Sequence, residues 1–508
     1  ARLRLFLKLA AEVDPSRRKK NFGLEPLPDI DFNIRSGNTL AGFATEQQLE
    51  EVVKNSEGDL MYEEKLAKLK SDCDMAAASF AHFKTRQLIA SSDSFAIREA
   101  KQDYANAIAA LNEKLNHYLA DTYGLGAKTQ WKSETEKDQV YRDWITSHQP
   151  FHWFAEFYEI ISRGGFDVVI GNPPYVETRK VEYKIKNYET EPCGNLYVFA
   201  IERSLSILKM NSNIGMIIPI SSVANSKFYI LQNIFSAKTL SWFSNYSNRP
   251  AKLFENVEQR LTIFVGKKCE NIHSEYYTCS YKHWYAKARE YLFPTISYCI
   301  NRYAENNLCF SKIGNAIEQN INTKLGNNSK IKIIDFLGND SRSSIYYHNA
   351  PTYFIRAMSF MPNSGKNMEP SSHYKCVNIS KNVQSVISCI LNSSLFYFFY
   401  KNFSNCRDFS EREIYNFPLG QISEENINNL NKIEARLMKN YMENKKIKNR
   451  TYESGLVYYD EYYPKLSKPI IDEIDKVLAK HYGFTDEELD FIINYDIKYR
   501  MGGELEGE

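Results

Sequence analysis

The sequence predicts a doubly wound α/β sheet broken by a helical insertion, then a less regular α+β region and a helical tail. Three observations carry this. Apolar runs within Phe166–Gly171, Gly215–Pro219, Leu240–Phe243 and Arg260–Val265 alternate with helical patterns, as strand–helix–strand units do. From Thr45 to Ser147 there is no proline, and apolar residues recur at three- and four-residue spacing, the mark of long amphipathic helices. Beyond Gly266 the pattern weakens to short β-like runs among Asn- and Ser-rich turns.

The 508 residues are enough for two or three domains. Hydrophobic residues at 43 % and charged residues at 25 % are those of an ordinary globular chain. Aromatics reach 14 %, with 35 Tyr, which fits stacking surfaces or a coding bias toward Tyr, Asn, Lys and Ile. The net charge of +2 excludes a polycation overall, yet Lys267–Leu419 holds 18 Lys and Arg against 11 Asp and Glu, a local +7. Such a stretch suits a polyanion-binding domain or a solvated surface. Nine scattered cysteines, with no CxxC pair, argue against zinc ribbons and disulfide scaffolds and for a reducing, cytoplasmic setting. No apolar run approaches 18 residues, so no membrane span is expected.

In chain order, Ala1–Leu9 reads as a helix, Phe32–Arg35 as a short strand and Ser36–Leu40 as a turn. Tyr62–Leu69 and Phe95–Leu119 lie in a helical hairpin inserted before the sheet resumes. Phe151–Arg163 is an aromatic-rich helix leading into a buried parallel strand, Val168-Val169-Ile170. Val176–Pro192 reads as a mobile polar loop, Asn195–Met210 and Ser226–Phe235 as helices, and Arg260–Val265 as the last clear strand. Later, Ile331–Ile334, Ile345–Tyr347 and Tyr374–Ile379 are β-like, and Val383–Tyr400 is a helix. The chain from Ser423 onward is mainly helical, with an exposed segment at Asp472–Lys476 and a tyrosine cluster at Tyr458–Tyr463.

The chemistry centres on Gly171-Asn172-Pro173-Pro174-Tyr175, which ends the Val168–Ile170 run. Two prolines fix φ and donate nothing, so the chain leaves the sheet as a stiff loop. Open α/β sheets bind ligands at the carboxyl ends of strands. The Asn172 side-chain oxygen and the Pro173 carbonyl are two acceptors for both hydrogens of an exocyclic amine, and Tyr175 offers an aromatic face. That set favours an amine nitrogen whose lone pair points at an electrophile. Displacement from a sulfonium then needs chiefly positioning and acceptors that strengthen as charge develops.

Asn172-Pro173-Pro174-Tyr175 after a strand resembles the catalytic motif of AdoMet-dependent methyltransferases acting on planar amine or amide nitrogens. The wider context, Pro150–Phe157 before Gly164–Glu177, is similar to the type IIG restriction–modification family. Leu391–Phe396 with Asn416-Phe417-Pro418 resembles its target-recognition region, and Ser467–Asp472 with Asn494–Arg500 resembles its tail. The resemblance covers most of the chain. It implies a Rossmann-like methyltransferase sheet in residues 1–44 and 149–266, with a helical insertion at 45–148. It also implies a target-recognition domain at 267–420 and a helical C-terminal region at 421–508. The implied activity is site-specific adenine-N6 methylation of double-stranded DNA with S-adenosylmethionine, on a base flipped out of the helix. By the same resemblance, Gly37-Asn38 meets the adenine of AdoMet and Phe254 packs on the flipped base, although Phe254 also suits a buried core. Lys324, Arg342, Arg356, Arg407 and Arg412 are candidate DNA contacts within the basic stretch. The aromatic run Phe396–Tyr400 is a stacking surface or, at helical spacing, core.

The Gly-rich AdoMet loop of that family has no counterpart here. Asp335–Asp340 lacks its second glycine and reads as an ordinary turn. The expectation is therefore that an upstream domain or another subunit carries the loop, along with any nuclease domain and its Mg2+; no metal site is expected in this chain. The alternatives are an RNA or protein-glutamine methyltransferase, which the long C-terminal half disfavours, and a non-catalytic DNA-specificity subunit.

Overall fold

The computed structural model describes residues 34–57, 61–89, 94–126, 129–271, 273–303, 309–338, 343–362, 373–452 and 455–502, with isolated positions before residue 34. The expected Ala1–Leu9 helix and Phe32–Arg35 strand fall mainly outside these residues, and Arg342 falls wholly outside. The chain divides into two compact units, Ala1–Asp167 with Val176–Lys209, and Val168–Tyr175 with Met210–Glu508. Among the described residues no helix is long and apolar enough to cross a membrane.

The first unit is helical. Helices α1 (Glu46–Glu57), α2 (Tyr62–Ile89), α3 (Ser94–Thr122) and α4 (Glu134–His148) bury an apolar stripe that includes Leu66, Leu69, Leu111, Leu115 and Trp144. Ser133 caps α4 by accepting from the Glu136 N–H, which satisfies one donor exposed at a helix start. The Phe151–Arg163 segment forms two short helices, α5 (Trp153–Glu156) and α6 (Tyr158–Ser162), rather than one. The stretch expected to be a mobile loop is anchored instead. Ile185 is buried, Tyr183 and Tyr188 pack beside it against Leu196 and Phe199, and Glu202 accepts from the Glu189 and Thr190 N–H groups. Helix α7 (Leu196–Ile207) stops short of Met210, because strand pairing already begins at Leu208.

The second unit holds a six-stranded sheet in the order β1-β2-β4-β3-β5-β6. Its strands are β1 (Phe166–Gly171), β2 (Leu208–Pro219), β3 (Thr239–Tyr246), β4 (Leu261–Lys268), β5 (Glu275–Thr278) and β6 (Cys299–Arg302). The first two residues of β1 and of β2 belong to the first unit. Strand β4 pairs antiparallel with both β2 and β3, so it runs against its neighbours, while β3 and β5 are parallel. Helices α8 (Ser221–Ala224) and α9 (Tyr229–Lys238) link β2 to β3. The sheet thus continues past Gly266, where the sequence pattern had weakened, because β5 and β6 are only four residues each.

Strand β1 overturns one expectation. Among the described residues it is the edge strand of the sheet, with Val168 56 % and Ile170 79 % exposed, not a buried central one. An apolar run reports that a strand suits a buried place, not that this chain supplies the covering layer.

The remainder packs around one large core built from α11 (Gln384–Asn392), α12 (Ser394–Phe403), α14 (Glu424–Asn444) and α15 (Lys468–Tyr482), together with the sheet β8-β7-β9. Here α10 is Ala316–Asn327, β7 Ser344–His348, β8 Ala357–Met358, β9 Tyr374–Asn378 and α13 Glu411–Tyr415. The Val383–Tyr400 helix is broken at Ser393, whose side chain caps α12 through the Phe396 N–H at 2.9 Å. Phe396–Tyr400 is buried throughout, so that run is core and not a stacking surface. Ile333–Phe336 is a 3-10 turn rather than a strand. Asp475 is buried, not on an exposed segment, and accepts from the Ser394 and Leu395 N–H groups at 3.1 Å each. The tyrosine cluster enters a hairpin, β10 (Lys446–Tyr452) with β11 (Gly455–Glu461), before the closing helices α16 (Asp486–Ile493) and α17 (Ile497–Arg500). Fully buried Arg500 donates to Tyr353 O, Ser394 Oγ and Tyr495 O, tying α17 to that core.

Candidate active site

The loop Asn172–Tyr175 leaves the sheet where β1 ends. Strand β1 lies beside β2 in the sheet, with Ile170 and Gly171 next to Gly215 and Met216. The Tyr175 hydroxyl lies 2.8 Å from Asn172 Oδ1 and 2.8 Å from Ile217 O. Burial pushes its pKa up to about 12, which keeps the phenol a donor at neutral pH. The ring packs against the apolar cluster that Tyr246, Leu253, Leu261, Trp284 and Leu292 form. Asn172 itself is exposed. The result is a stiff loop that presents an amide oxygen at the surface, steadied by a phenol whose ring is seated in apolar side chains. Sequence reasoning missed the Ile217 carbonyl and Trp284. The first is a backbone group invisible to pattern, and the second was one aromatic among the many in Tyr281–Tyr285.

In the first unit, the turn at Gly37-Asn38 is held by the segment Gln149-Pro150-Phe151. The Asn38 N–H donates to Gln149 O at 2.8 Å, and the Phe151 N–H donates to Ala41 O at 2.7 Å. Buried Arg203 donates to Leu40 O at 3.2 Å and Gly42 O at 2.9 Å. Asn38 Oδ1 accepts from the Leu40 N–H at 3.2 Å, whereas its Nδ2 is buried with no partner among the described residues. A donor left this way costs about 1–3 kcal/mol, so the position fits a group that brings an acceptor, as an adenine ring nitrogen does.

Phe254 is 37 % exposed in the loop between β3 and β4 and lines a cavity of about 840 Å3. The candidate DNA contacts separate. Lys324 donates to Glu488 Oε2 at 2.6 Å and Gly483 O at 2.9 Å. Arg412 donates to Glu413 Oε1 at 2.6 Å and to Ala224 O at 2.9 Å. Both hold partners within the fold; a basic composition does not tell which cations the fold itself engages. Arg356 is half-buried, near His348 and Glu461. Arg407 stands 74 % exposed, 3.9 Å from Asp408.

A family model described as Eco57I restriction-modification methylase matches residues 1–254, half of the chain. The chain belongs to that family. Within this methylase family, it is 26 % identical over 247 residues to a putative type II restriction enzyme and methyltransferase, RM.MjaORFECS2P of Methanocaldococcus jannaschii, covering 44 % of this chain and 21 % of that protein. It is 27 % identical over 170 residues to the type II restriction enzyme and methyltransferase RM.Eco57I of Escherichia coli, covering 30 % of this chain and 16 % of that protein. The chain therefore matches about a fifth of the length of these relatives. Among solved structures, the type IIL restriction-modification enzyme MmeI in complex with DNA aligns at a TM-score of 0.39 and 11 % identity, covering 78 % of this chain and 64 % of that one.

Proposed function

We propose that this chain is the base-holding and DNA-recognition part of a site-specific DNA adenine-N6 methyltransferase in a restriction–modification system. The observation that carries this is the Asn172–Tyr175 loop at the carboxyl end of β1, with Asn172 exposed and braced by Tyr175. In this reading Asn172 Oδ1 and the Pro173 carbonyl accept the two N–H groups of a flipped adenine amine. Pro174 keeps the loop stiff, and Tyr175 and Phe254 bound the base. As the nitrogen gains positive charge its N–H groups become better donors, so both acceptors strengthen toward the transition state. S-adenosylmethionine, when bound, supplies an electrophilic methyl group on a sulfonium, and Gly37-Asn38 is proposed to contact its adenine through the unpartnered Asn38 Nδ2.

The bare apolar edge strand β1 supports a further proposal. A strand from outside these 508 residues pairs there and brings the Gly-rich AdoMet loop. Residues 267–420 are the proposed target-recognition domain, with Arg407 and Arg356 as its remaining candidate phosphate or base contacts. Cleavage, with Mg2+, belongs to the reading only if a nuclease domain accompanies the chain, and the setting is cytoplasmic.

The test is transfer of labelled methyl from AdoMet to duplex DNA by the protein with and without its upstream region, and by the same two forms carrying Asn172→Ala. The reading expects N6-methyladenine as product and a loss of at least about a hundredfold in the variant. Transfer to RNA or to a protein glutamine instead, or DNA binding with no transfer under any condition, would sink it.

A further inference from the structure

The tail segment Asn494–Arg500 has no part in the chemistry proposed above, yet it grips the loops beside the base-holding site. Both belong to the second unit. One end of α17 is fixed in the large core, where buried Arg500 donates to Tyr353 O, Ser394 Oγ and Tyr495 O. One residue earlier, the Tyr499 hydroxyl donates to His283 O at 2.8 Å. The Tyr499 ring lies 5.1 Å from the His283 ring and stacks on Tyr285 at 5.4 Å. The Lys498 ammonium stands 4.7 Å from the centre of the Tyr285 ring.

The segment that α17 grips is itself paired with the loop between β3 and β4, which carries Phe254. The Ser247 N–H donates to Lys282 O at 2.9 Å, and the Ala251 N–H donates to Trp284 O at 3.1 Å. His283 Nδ1 donates to Arg249 O at 2.9 Å, and Arg289 donates to Leu253 O at 2.9 Å. Burial keeps the His283 ring neutral, with its pKa lowered to about 3. With Nδ1 donating, Nε2 bears the lone pair, so its 3.6 Å approach to Asp496 Oδ2 is not an ion pair. The tie to His283 is the Tyr499 hydroxyl rather than the Asp496 carboxylate. Leu253 and Ala251 lie in the apolar cluster against which Tyr175 packs. The order of hydrogen bonds therefore runs from the core through Tyr499 and His283 to the loop of Phe254.

We propose that Tyr499 is a positioning residue for methyl transfer, fixing the Phe254 loop against the Asn172–Tyr175 loop through the backbone of His283 and Trp284. The inference rests on the reading of those two loops given above. Surface loops are the mobile parts of a fold, and small displacements of a positioning group slow the chemical step steeply.

The test sets Tyr499→Phe against Tyr441→Phe, whose buried hydroxyl donates instead to Asn392 Oδ1 at 2.7 Å. Wild type and both variants, with and without the upstream region, are measured for labelled methyl transfer to long unmethylated DNA, for melting temperature and for hydrogen–deuterium exchange over residues 247–257. Each variant loses one hydroxyl, so both should melt slightly earlier. Only Tyr499→Phe should speed exchange over 247–257, by about fivefold, the shift in population that one hydrogen bond supports. Only Tyr499→Phe should lower kcat, by about tenfold, with KM for DNA little changed. Exchange or kcat that moves no more than in Tyr441→Phe leaves Tyr499 a structural part alone and overturns the positioning role, while wild-type methyl transfer stands. A wild type that methylates no DNA in either form overturns the methyl-transfer reading and this role with it.

Discussion

The Tyr175 hydroxyl sits 2.8 Å from Asn172 Oδ1, so the acceptor assigned to the substrate amine already holds a donor from its own loop. The same hydroxyl also reaches Ile217 O. It can therefore turn to the Ile217 carbonyl when an adenine amine arrives, leaving Asn172 Oδ1 in place and free to accept.

Tyr175→Phe tests this exchange. Losing the hydroxyl should cost about 1 kcal/mol of stability, the usual net worth of one hydrogen bond. Methyl transfer should fall by less than about tenfold, because the ring and the Asn172 oxygen both remain. Tyr175→Ala removes the ring from the apolar cluster it packs against and should lose far more transfer. Single-turnover transfer and thermal melts separate the two. Equal losses in both variants would give the hydroxyl a larger part than bracing.

Arg407 and Lys324 make a matched pair. Arg407→Ala should weaken duplex binding and lower the slope of log affinity against log salt by about one, as losing one phosphate contact does. Lys324→Ala breaks its contact with Glu488 and should lower the melting temperature while leaving the salt slope unchanged. Salt titrations of DNA affinity check both. A changed slope for Lys324→Ala would return that residue to the DNA surface.

Asp475 sets a pH dependence. Burial raises its pKa from 3.8 to about 6, against the lowering effect of the Leu395 and Ser394 hydrogen bonds. A raised carboxyl holds its proton more tightly when folded. Its contribution is full below the unfolded value and is lost as pH rises through about 6. Asp475→Asn removes that titration. The stability of wild type relative to the variant should fall by about 2 kcal/mol from pH 4 to pH 7, read from urea melts at each pH. A constant difference would mean that the folded and unfolded carboxyls titrate alike.

Gly42→Ala probes the seat of Asn38. Gly42 has φ +132°, and an added Cβ would lie 2.2 Å from Phe151 O. Since that contact is with backbone, the substitution should cost about 3 kcal/mol or more and weaken AdoMet binding through the displaced turn. Calorimetric AdoMet titration and melting curves measure the two effects. Unchanged binding in a destabilised protein would remove Asn38 from the cofactor site.

How much of this was legible beforehand varies with the kind of interaction. The Asn172–Tyr175 loop, the β2, β3 and β4 strands and the long helices α2 and α3 could be read from the chain. Proline geometry, apolar runs and three-to-four periodicity are local properties. The short strands β5 and β6 were not legible, because four residues carry too little pattern. The β10–β11 hairpin was lost among tyrosines and lysines that also suit a helix surface.

The sequence by itself determined the chemistry on offer: two acceptors on a stiff loop, an aromatic beside them, and a basic region downstream. Only the tertiary structure decided who uses what. It paired Lys324 with Glu488 and Arg412 with Glu413, buried Asp475 under the start of α12 and, among the described residues, left β1 at a sheet edge. The physical reason is that hydrogen-bond partners and burial depend on residues far apart in the chain, whereas backbone stiffness and donor–acceptor type travel with each residue.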